Sequence, residues 1–283
     1  MSQYKNIQWY PGHMFKTVKE LTKELKLVDV VLMLLDARAP LSSMNPMLLT
    51  HIQSKPMIYV LNKKDLADQT YTSAFLSHIK HEHSETIALN SLEAKTPKKI
   101  IQAIDQLMHD DFVKRTQKGL KKKVYKVLVL GIPNVGKSTL INTLSKKKVV
   151  KTGNTPGVTK QLQWTRVSQH IDLLDSPGVL WPKFDDEQVA MHLALTGAIK
   201  DRILPLSEVV EYGLNFMKAH YPDRLIERYQ IDIESPLIEA IGKKRGALQS
   251  GGIVDEERVY QIFLNDLRTG KLGGITFDRI SYV

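Results

Sequence analysis

Three observations predict an α/β chain: a doubly wound parallel sheet followed by a second, all-helical domain. Apolar runs of strand length alternate with segments of helical spacing as far as residue 182. Short polar or glycine-rich strings stand at the C-terminal ends of several of those runs, where such sheets bind ligands. From residue 183 the strand signals stop and helical spacing alone continues to residue 283. The expected division is therefore residues 1–182 and residues 183–283.

In chain order, residues 13–27 predict an amphipathic helix, with Val18, Leu21, Leu25 and Val28 at three- and four-residue steps. Val30–Leu35 is an uninterrupted apolar run, the signature of a strand buried on both faces. Met57–Leu61 is a second such run. A helix near 70–80, a strand near 86–89 and a helix near 97–111 follow. The lysine-rich stretch 118–123 reads as a linker, and Val124–Leu130 as the next strand, with a helix starting at Lys137. Strands near 161–167 and 170–174 close the first domain. Helices near 185–199, 206–219, 234–245 and 254–268 make up the second, with Pro205, Pro222 and Pro236 near the breaks and a small core of its own.

Composition narrows the class. The chain of 283 residues is 42% apolar and 25% charged, as in globular proteins. It has no cysteine, which removes disulfides and cysteine-based zinc sites. The first residues lack a secretion-signal core and Val30–Leu35 is too short to span a bilayer, so a soluble cytoplasmic protein without stable membrane association is expected. A net charge of +10 suits a polyanionic partner, and the scattered clusters Lys121–Lys123, Lys146–Lys148 and Lys243–Arg245 lean toward RNA; a merely solvated basic surface is the competing reading. His78, His81 and His83 read as a decorated helix end rather than a metal site.

Gly131-Ile-Pro-Asn-Val-Gly-Lys-Ser138 is a G-x-x-x-x-G-K-S string placed between a strand and a helix. In that context the backbone N–H groups of Asn134, Val135 and Gly136 cradle phosphate oxygens and Lys137 adds a point charge. Ser138 would place a hydroxyl on Mg²⁺, with Thr139 on the α-phosphate side. Asp175-Ser-Pro-Gly178 is a D-x-x-G behind a hydrophobic strand, whose carboxylate suits Mg²⁺ and whose Gly178 N–H suits a γ-phosphate. Between them, Thr159, chosen for the preceding Pro-Gly, or alternatively Thr155, can close over the metal; a threonine that merely caps a turn is the competing reading.

Asn62-Lys63-Lys64-Asp65 is an N-K-x-D string. An ionised aspartate only accepts hydrogen bonds, which matches the adjacent N1–H and amino donors of guanine and leaves adenine unmatched. Asn62 would brace the loop and the Lys63 stem cover the ring face. Asn90-Ser91, after the strand near 86–89, stands where a backbone N–H could meet guanine O6; an ordinary turn is the alternative. The guanine string precedes the phosphate string, the reverse of the Ras-like order. The fold class is accordingly a circularly permuted Ras-like P-loop GTPase domain with a C-terminal all-helical domain, with GTP and GDP as ligands.

The rotation places the chain's own start after Gly178 in the reassembled order. Val179 then stands where Ras-like enzymes commonly carry a water-orienting glutamine, and valine cannot hydrogen-bond water. His13, in Trp9-Tyr-Pro-Gly-His-Met14, is the candidate replacement; a helix-start histidine packed against Trp9 is the competing reading. Asn134 is a candidate ligand for K⁺ against the phosphates, or else a turn former.

Together with Asp36-Ala-Arg-Ala-Pro40, Asn45-Pro46 and Leu195-Thr-Gly-Ala-Ile-Lys-Asp201, these strings resemble the ribosome biogenesis GTPase A (YlqF/RbgA) family of circularly permuted GTPases over nearly the whole length. The resemblance implies a bacterial GTPase that acts as a switch in late assembly of the large (50S) ribosomal subunit. It implies binding to the subunit precursor and its rRNA, with the helical domain contacting RNA. It also implies that a histidine of the Pro-Gly-His motif replaces the catalytic glutamine, at the positions of His13 and Val179. Asp36 and Arg38 either order the N-terminal segment or form a turn-stabilising ion pair.

Overall fold

The computed structural model describes residues 12–52, 55–121, 123–145, 163–182, 184 and 186–280, and for residues 12–17 and 163 the backbone alone. The chain enters through helix α1 (Gly12–Glu24) and a 3₁₀ turn (Leu25–Leu27). Leu21, Leu25 and Val28 are buried, as their spacing requires. Strand β1 (Val30–Asp36) is buried along its entire length. Helix α2 (Pro46–Ile52), which the sequence pattern did not announce, leads to β2 (Met57–Asn62), also buried throughout. Seven residues make too short a window for helical periodicity to show.

Helix α3 (Gln69–Ile79) starts where the Asp68 carboxylate accepts from the N–H groups of Thr70 and Tyr71. Strand β3 (Ser84–Leu89) follows. The helix expected near 97–111 is two helices, α4 (Thr96–Leu107) and α5 (His109–Gln117). They break at Met108, and Asp110 and Asp111 fill the first turn of the second, a favourable start against the helix dipole. Strand β4 (Tyr125–Gly131), helix α6 (Lys137–Ser145) and strands β5 (Gln163–Ser168) and β6 (Ile171–Asp175) complete this part.

The strands form one sheet in the order β3-β2-β1-β4-β6-β5. All neighbours are parallel except β5, which runs antiparallel to β6 at the edge. The two innermost strands, β1 and β4, are therefore consecutive neither in sequence nor in the usual order of reading. Because β1 pairs with both β2 and β4, the turns after β1, β2 and β4 all open at the same end of the sheet. The site strings sit on those turns.

Helices α7 (Glu187–Leu195), α8 (Leu206–His220), α9 (Pro222–Tyr229), α10 (Leu237–Arg245) and α11 (Glu256–Arg268) follow. The sequence reading did not separate α9, which begins on Pro222 and ends on Gln230 in the left-handed conformation. The separate core expected for these helices does not stand apart. Buried apolar residues run continuously from the sheet through Val179, Leu180 and Trp181 to Leu195, Phe263 and Phe277. After α11, residues 273–280 carry neither helix nor strand and lie back against the sheet's loops.

Candidate nucleotide-binding site

Asn62 ends β2 and is buried. Its side chain is a three-way joint. The Nδ2 group donates to the Val135 carbonyl at 2.7 Å, inside the phosphate string. Its Oδ1 accepts from the Ser91 N–H at 3.0 Å and from the Ser91 hydroxyl at 2.8 Å. One amide thus joins the guanine string, the Asn90-Ser91 turn and the phosphate loop. Val135 and Asn62 are 73 residues apart in sequence, so this contact is where the rotated pieces meet. Losing a buried amide with three partners would cost about 1–3 kcal/mol or more, because the partners would be left unpaired.

The phosphate loop itself depends on two glycines. Gly131 and Gly136 have φ of +151° and +103°, outside the range other residues favour. A Cβ on Gly131 would sit 2.6 Å from the Leu34 carbonyl oxygen, and one on Gly136 would run into Asn62 Nδ2. Asn134 is left-handed at φ +58° and donates through Nδ2 to the Gly197 carbonyl at 2.8 Å, beyond the end of α7. Gly178 lies directly on the same loop: a Cβ there would be 2.7 Å from both Cα and N of Pro133. The D-x-x-G turn and the phosphate loop are therefore in backbone contact.

Lys137, at the first position of α6, is buried. Its Nζ donates to the carbonyls of Gly131 at 3.0 Å and Ile132 at 2.8 Å. Burial lowers its pKa to about 8, against a smaller upward pull from the nearby Asp175 carboxylate. Asp175 ends β6 and is buried beside β4, opposite Val129 in the register. Ser138 and Thr139 occupy the first turn of α6, half-buried.

At the base end, Asp65 is the middle residue of a 3₁₀ turn (Lys64–Leu66) and is exposed to solvent. Lys63 precedes it at φ +60°. Its Nζ bonds Asp36 Oδ2 at 3.0 Å rather than reaching free into solvent, while Lys64 pairs with Glu93 at 3.1 Å. Desolvation lowers the Lys63 pKa, with Asp36 pulling the other way. Asn90 Oδ1 accepts from the Leu92 N–H at 2.9 Å, which fixes the turn beside Ser91.

Asp36 and Arg38 form a buried bidentate pair, Nε–Oδ1 2.8 Å and Nη2–Oδ2 2.7 Å. Burial alone would raise the Asp36 pKa. The charges of Arg38 and Lys63, with the hydrogen bonds of Arg38, outweigh it and hold the carboxylate far below the usual range. Arg38 Nη2 also donates to the Thr196 carbonyl at 3.0 Å. The pair therefore does more than stabilise its own turn: it ties the end of β1 to the guanine string and to α7. Removing either partner would leave a buried charge, at about 3–5 kcal/mol.

A further buried cluster, unannounced by any short pattern, lies next to it. Asp278 accepts from the N–H groups of Leu41 at 2.6 Å and Ser42 at 2.9 Å, and from the Ser42 hydroxyl at 2.5 Å. His192 Nδ1 lies 2.9 Å from Ser42 Oγ and 3.1 Å from Asp278 Oδ1, and its Nε2 lies 2.9 Å from the Tyr212 hydroxyl. Because the Asp278 carboxylate only accepts, the contact with it makes Nδ1 a donor. The group looks superficially like a nucleophile triad. Ser42, His192 and Asp278 are buried and the histidine contacts serine and aspartate through one nitrogen, so the work of the group is structural.

His13 falls within α1, but its side chain lies outside the described residues, as do Thr155 and Thr159. Among the described residues no cluster of three or more histidine, aspartate or glutamate side chains could hold a metal by itself. The hydroxyl of Ser138 and the carboxylate of Asp175 are hard oxygen donors of the kind Mg²⁺ takes alongside phosphates. Asp175 is buried at the sheet end that carries the phosphate loop and acts electrostatically on Lys137, so this donor set fits Mg²⁺ held jointly with a polyphosphate.

The sequence profile of the family described as 50S ribosome-binding GTPase matches residues 126–241. The chain is 46% identical to ribosome biogenesis GTPase A of Bacillus pumilus, over 96% of this chain and 98% of that protein. It is 48% identical to ribosome biogenesis GTPase A of Bacillus cereus, over 96% and 93%. Among solved structures, GNP-bound YlqF from T. maritima superposes with a TM-score of 0.64 at 26% identity, covering 93% of this chain and 98% of that one.

Proposed function

The chain belongs to the ribosome biogenesis GTPase A family of P-loop GTP hydrolases, and from that premise we propose that it binds the precursor of the large ribosomal subunit and its rRNA, and hydrolyses GTP there as an assembly switch. The observation that carries the guanine-nucleotide reading is the Asn62 joint, which holds the base string and the phosphate loop against each other. The net charge of +10 supports a nucleic-acid partner. No described helix is long and apolar enough to cross a membrane, and the cytoplasm is the proposed site of action.

In this reading Asp65 recognises the guanine N1–H and amino groups, and the Ser91 turn faces O6. Asn62 and Lys63 hold that loop, with Lys64 on its outer side. The N–H groups of Asn134, Val135, Gly136 and Gly178 and the Lys137 ammonium receive phosphate oxygens, and Thr139 stands on the α-phosphate side. Ser138, Asp175 and Thr159 or Thr155 would hold Mg²⁺, which when bound neutralises charge on the β- and γ-phosphates. His13 orients the attacking water, since the apolar Val179, buried in the core, cannot. Asn134 is the candidate ligand for K⁺.

The test is GTP hydrolysis by the purified chain with and without purified large subunits, in K⁺ and in Na⁺, at rising ionic strength. Large subunits accelerate turnover, small subunits do not, and the acceleration falls steeply with salt as phosphate contacts exchange with counterions. Equal rates with either subunit would overturn the proposed target.

A further inference from the structure

The last described residues return to the nucleotide site from behind. Beyond α11 the chain passes Gly270, whose Cβ, if it had one, would lie 2.7 Å from Leu66 Cδ2. Gly274 then lies so close to Ala67 that a Cβ would stand 2.8 Å from its carbonyl carbon and closer still to its oxygen. The Ile275 N–H donates to the Leu66 carbonyl at 3.0 Å and the Phe277 N–H to the Arg38 carbonyl at 2.6 Å. The Thr276 hydroxyl accepts from the Asp68 N–H at 3.2 Å and donates to the Ala37 carbonyl at 3.3 Å. Ile275, Thr276 and Phe277 are all buried.

The residues gripped in this way are not arbitrary. Leu66–Asp68 is the stretch that directly follows Asp65. Ala37–Arg38 directly follows Asp36, which holds the Lys63 ammonium. Asp65 itself projects from a single 3₁₀ turn that has no side-chain cap and no buried residue of its own. Such a turn takes its geometry from its two ends. Upstream the end is Asn62, fixed by Val135 and Ser91. Downstream the end is fixed by Gly274–Phe277.

Resting on the guanine-nucleotide reading above, we propose that Gly274–Phe277 is a positioning segment of the base subsite, through which the seating of the helical region sets how well Asp65 meets guanine. A carboxylate that accepts two hydrogen bonds from one base edge tolerates displacement of only about 0.5 Å. Loosening the downstream anchor therefore weakens base recognition before it disturbs the phosphate loop. The relation is reciprocal: whatever shifts the helices changes nucleotide affinity, and nucleotide stiffens the segment by the same free energy.

A segment that merely glued the two regions together would affect stability alone, and this separates the two possibilities. In the full chain, Thr276→Val keeps the shape and removes the hydroxyl, while Thr276→Ser keeps the hydroxyl. Affinities for GDP and for IDP, which lacks the exocyclic amino group, are measured for all three proteins. Thr276→Val, which loses both hydrogen bonds of the hydroxyl, weakens GDP binding about five- to tenfold and narrows the preference for GDP over IDP; Thr276→Ser restores both. A lower melting temperature with unchanged affinity and unchanged preference would overturn the proposal. Hydrogen exchange on the unaltered chain gives a second reading that needs no variant: GDP slows exchange at the Ile275 and Phe277 amides, and no change at either would also overturn it. An unaltered chain that fails to bind GDP at all would instead remove the guanine-nucleotide reading on which the proposal stands.

Discussion

At the base end of the site, one buried amide joins three loops and a returning segment of chain braces a fourth side, whereas at the phosphate end Lys137 bonds the carbonyls of its own loop. The base end is knitted by contacts between residues far apart in sequence, such as Asn62 with Val135 and Leu66 with Ile275. The phosphate end takes its shape from its own glycines and the start of α6, and its distant ties are fewer, from Asn134 to Gly197 and from Gly178 to Pro133. The contrast teaches where each property resides. On the proposed reading, base selectivity is a tertiary property of the rotated chain. Phosphate binding, on that reading, rests chiefly on one loop whose pattern is local in sequence. On the same reading, hydrolysis takes a third contribution, from the segment that the rotation places after Gly178.

The largest expected effect tests that third contribution. His13→Ala slows single-turnover GTP hydrolysis about 10²–10⁴-fold, the usual range for a positioned acid–base group, and leaves GTP affinity at the unaltered value. Equal rates would show that hydrolysis belongs wholly to the two ends already described. Lost affinity would show that α1 is part of the binding walls.

A smaller effect sharpens the account of the phosphate end. The folded chain holds Lys137 at a pKa of about 8, below the value of about 10.4 for an unperturbed lysine. Between those values the unfolded chain binds more protons, so this lysine makes the nucleotide-free protein gain stability as pH rises from about 8 to about 10. A bound polyphosphate favours the charged ammonium and raises the pKa again. Binding of GDP at pH 9 is thus accompanied by uptake of a fraction of a proton, measurable by calorimetry in buffers of different ionisation heat. The uptake vanishes near pH 7 and in Lys137→Met. A pH 9 titration without uptake would show that the lysine is already charged in the free protein.

Much of this was legible in the sequence because the signals are short-range. Val30–Leu35 and Met57–Leu61 have the length and composition of strands buried on both faces, and both are buried throughout. The three site strings sit on turns at one end of the sheet, where apolar runs give way to glycine and polar residues. What stayed hidden depends on distance along the chain. Nothing local marks Asp278 as the acceptor for Leu41 and Ser42, because those partners are more than 230 residues away. Gly273-Gly274, followed by Ile275 and Thr276, did carry a signal: paired glycines before a β-branched run indicate extended chain in close approach to other backbone. The break at Met108 and the short helices α2 and α9 were missed for another reason. Helices α2 and α9, of seven and eight residues, are too short for periodicity to stand out, even though Leu225 and Tyr229 of α9 are buried four residues apart, and the break at Met108 is set by the acidic start of α5.

The most direct measurement is competition between GTP and XTP for the unaltered chain and for Asp65→Asn. An asparagine at this position offers a donor where xanthine presents its extra carbonyl oxygen, so the variant binds XTP in preference to GTP, by about 10²-fold relative to the unaltered chain. It still requires Lys137 to do so, since base reader and phosphate loop serve the same molecule. Retained preference for GTP in Asp65→Asn, or XTP binding indifferent to Lys137→Met, would mean that the two strings do not share one pocket.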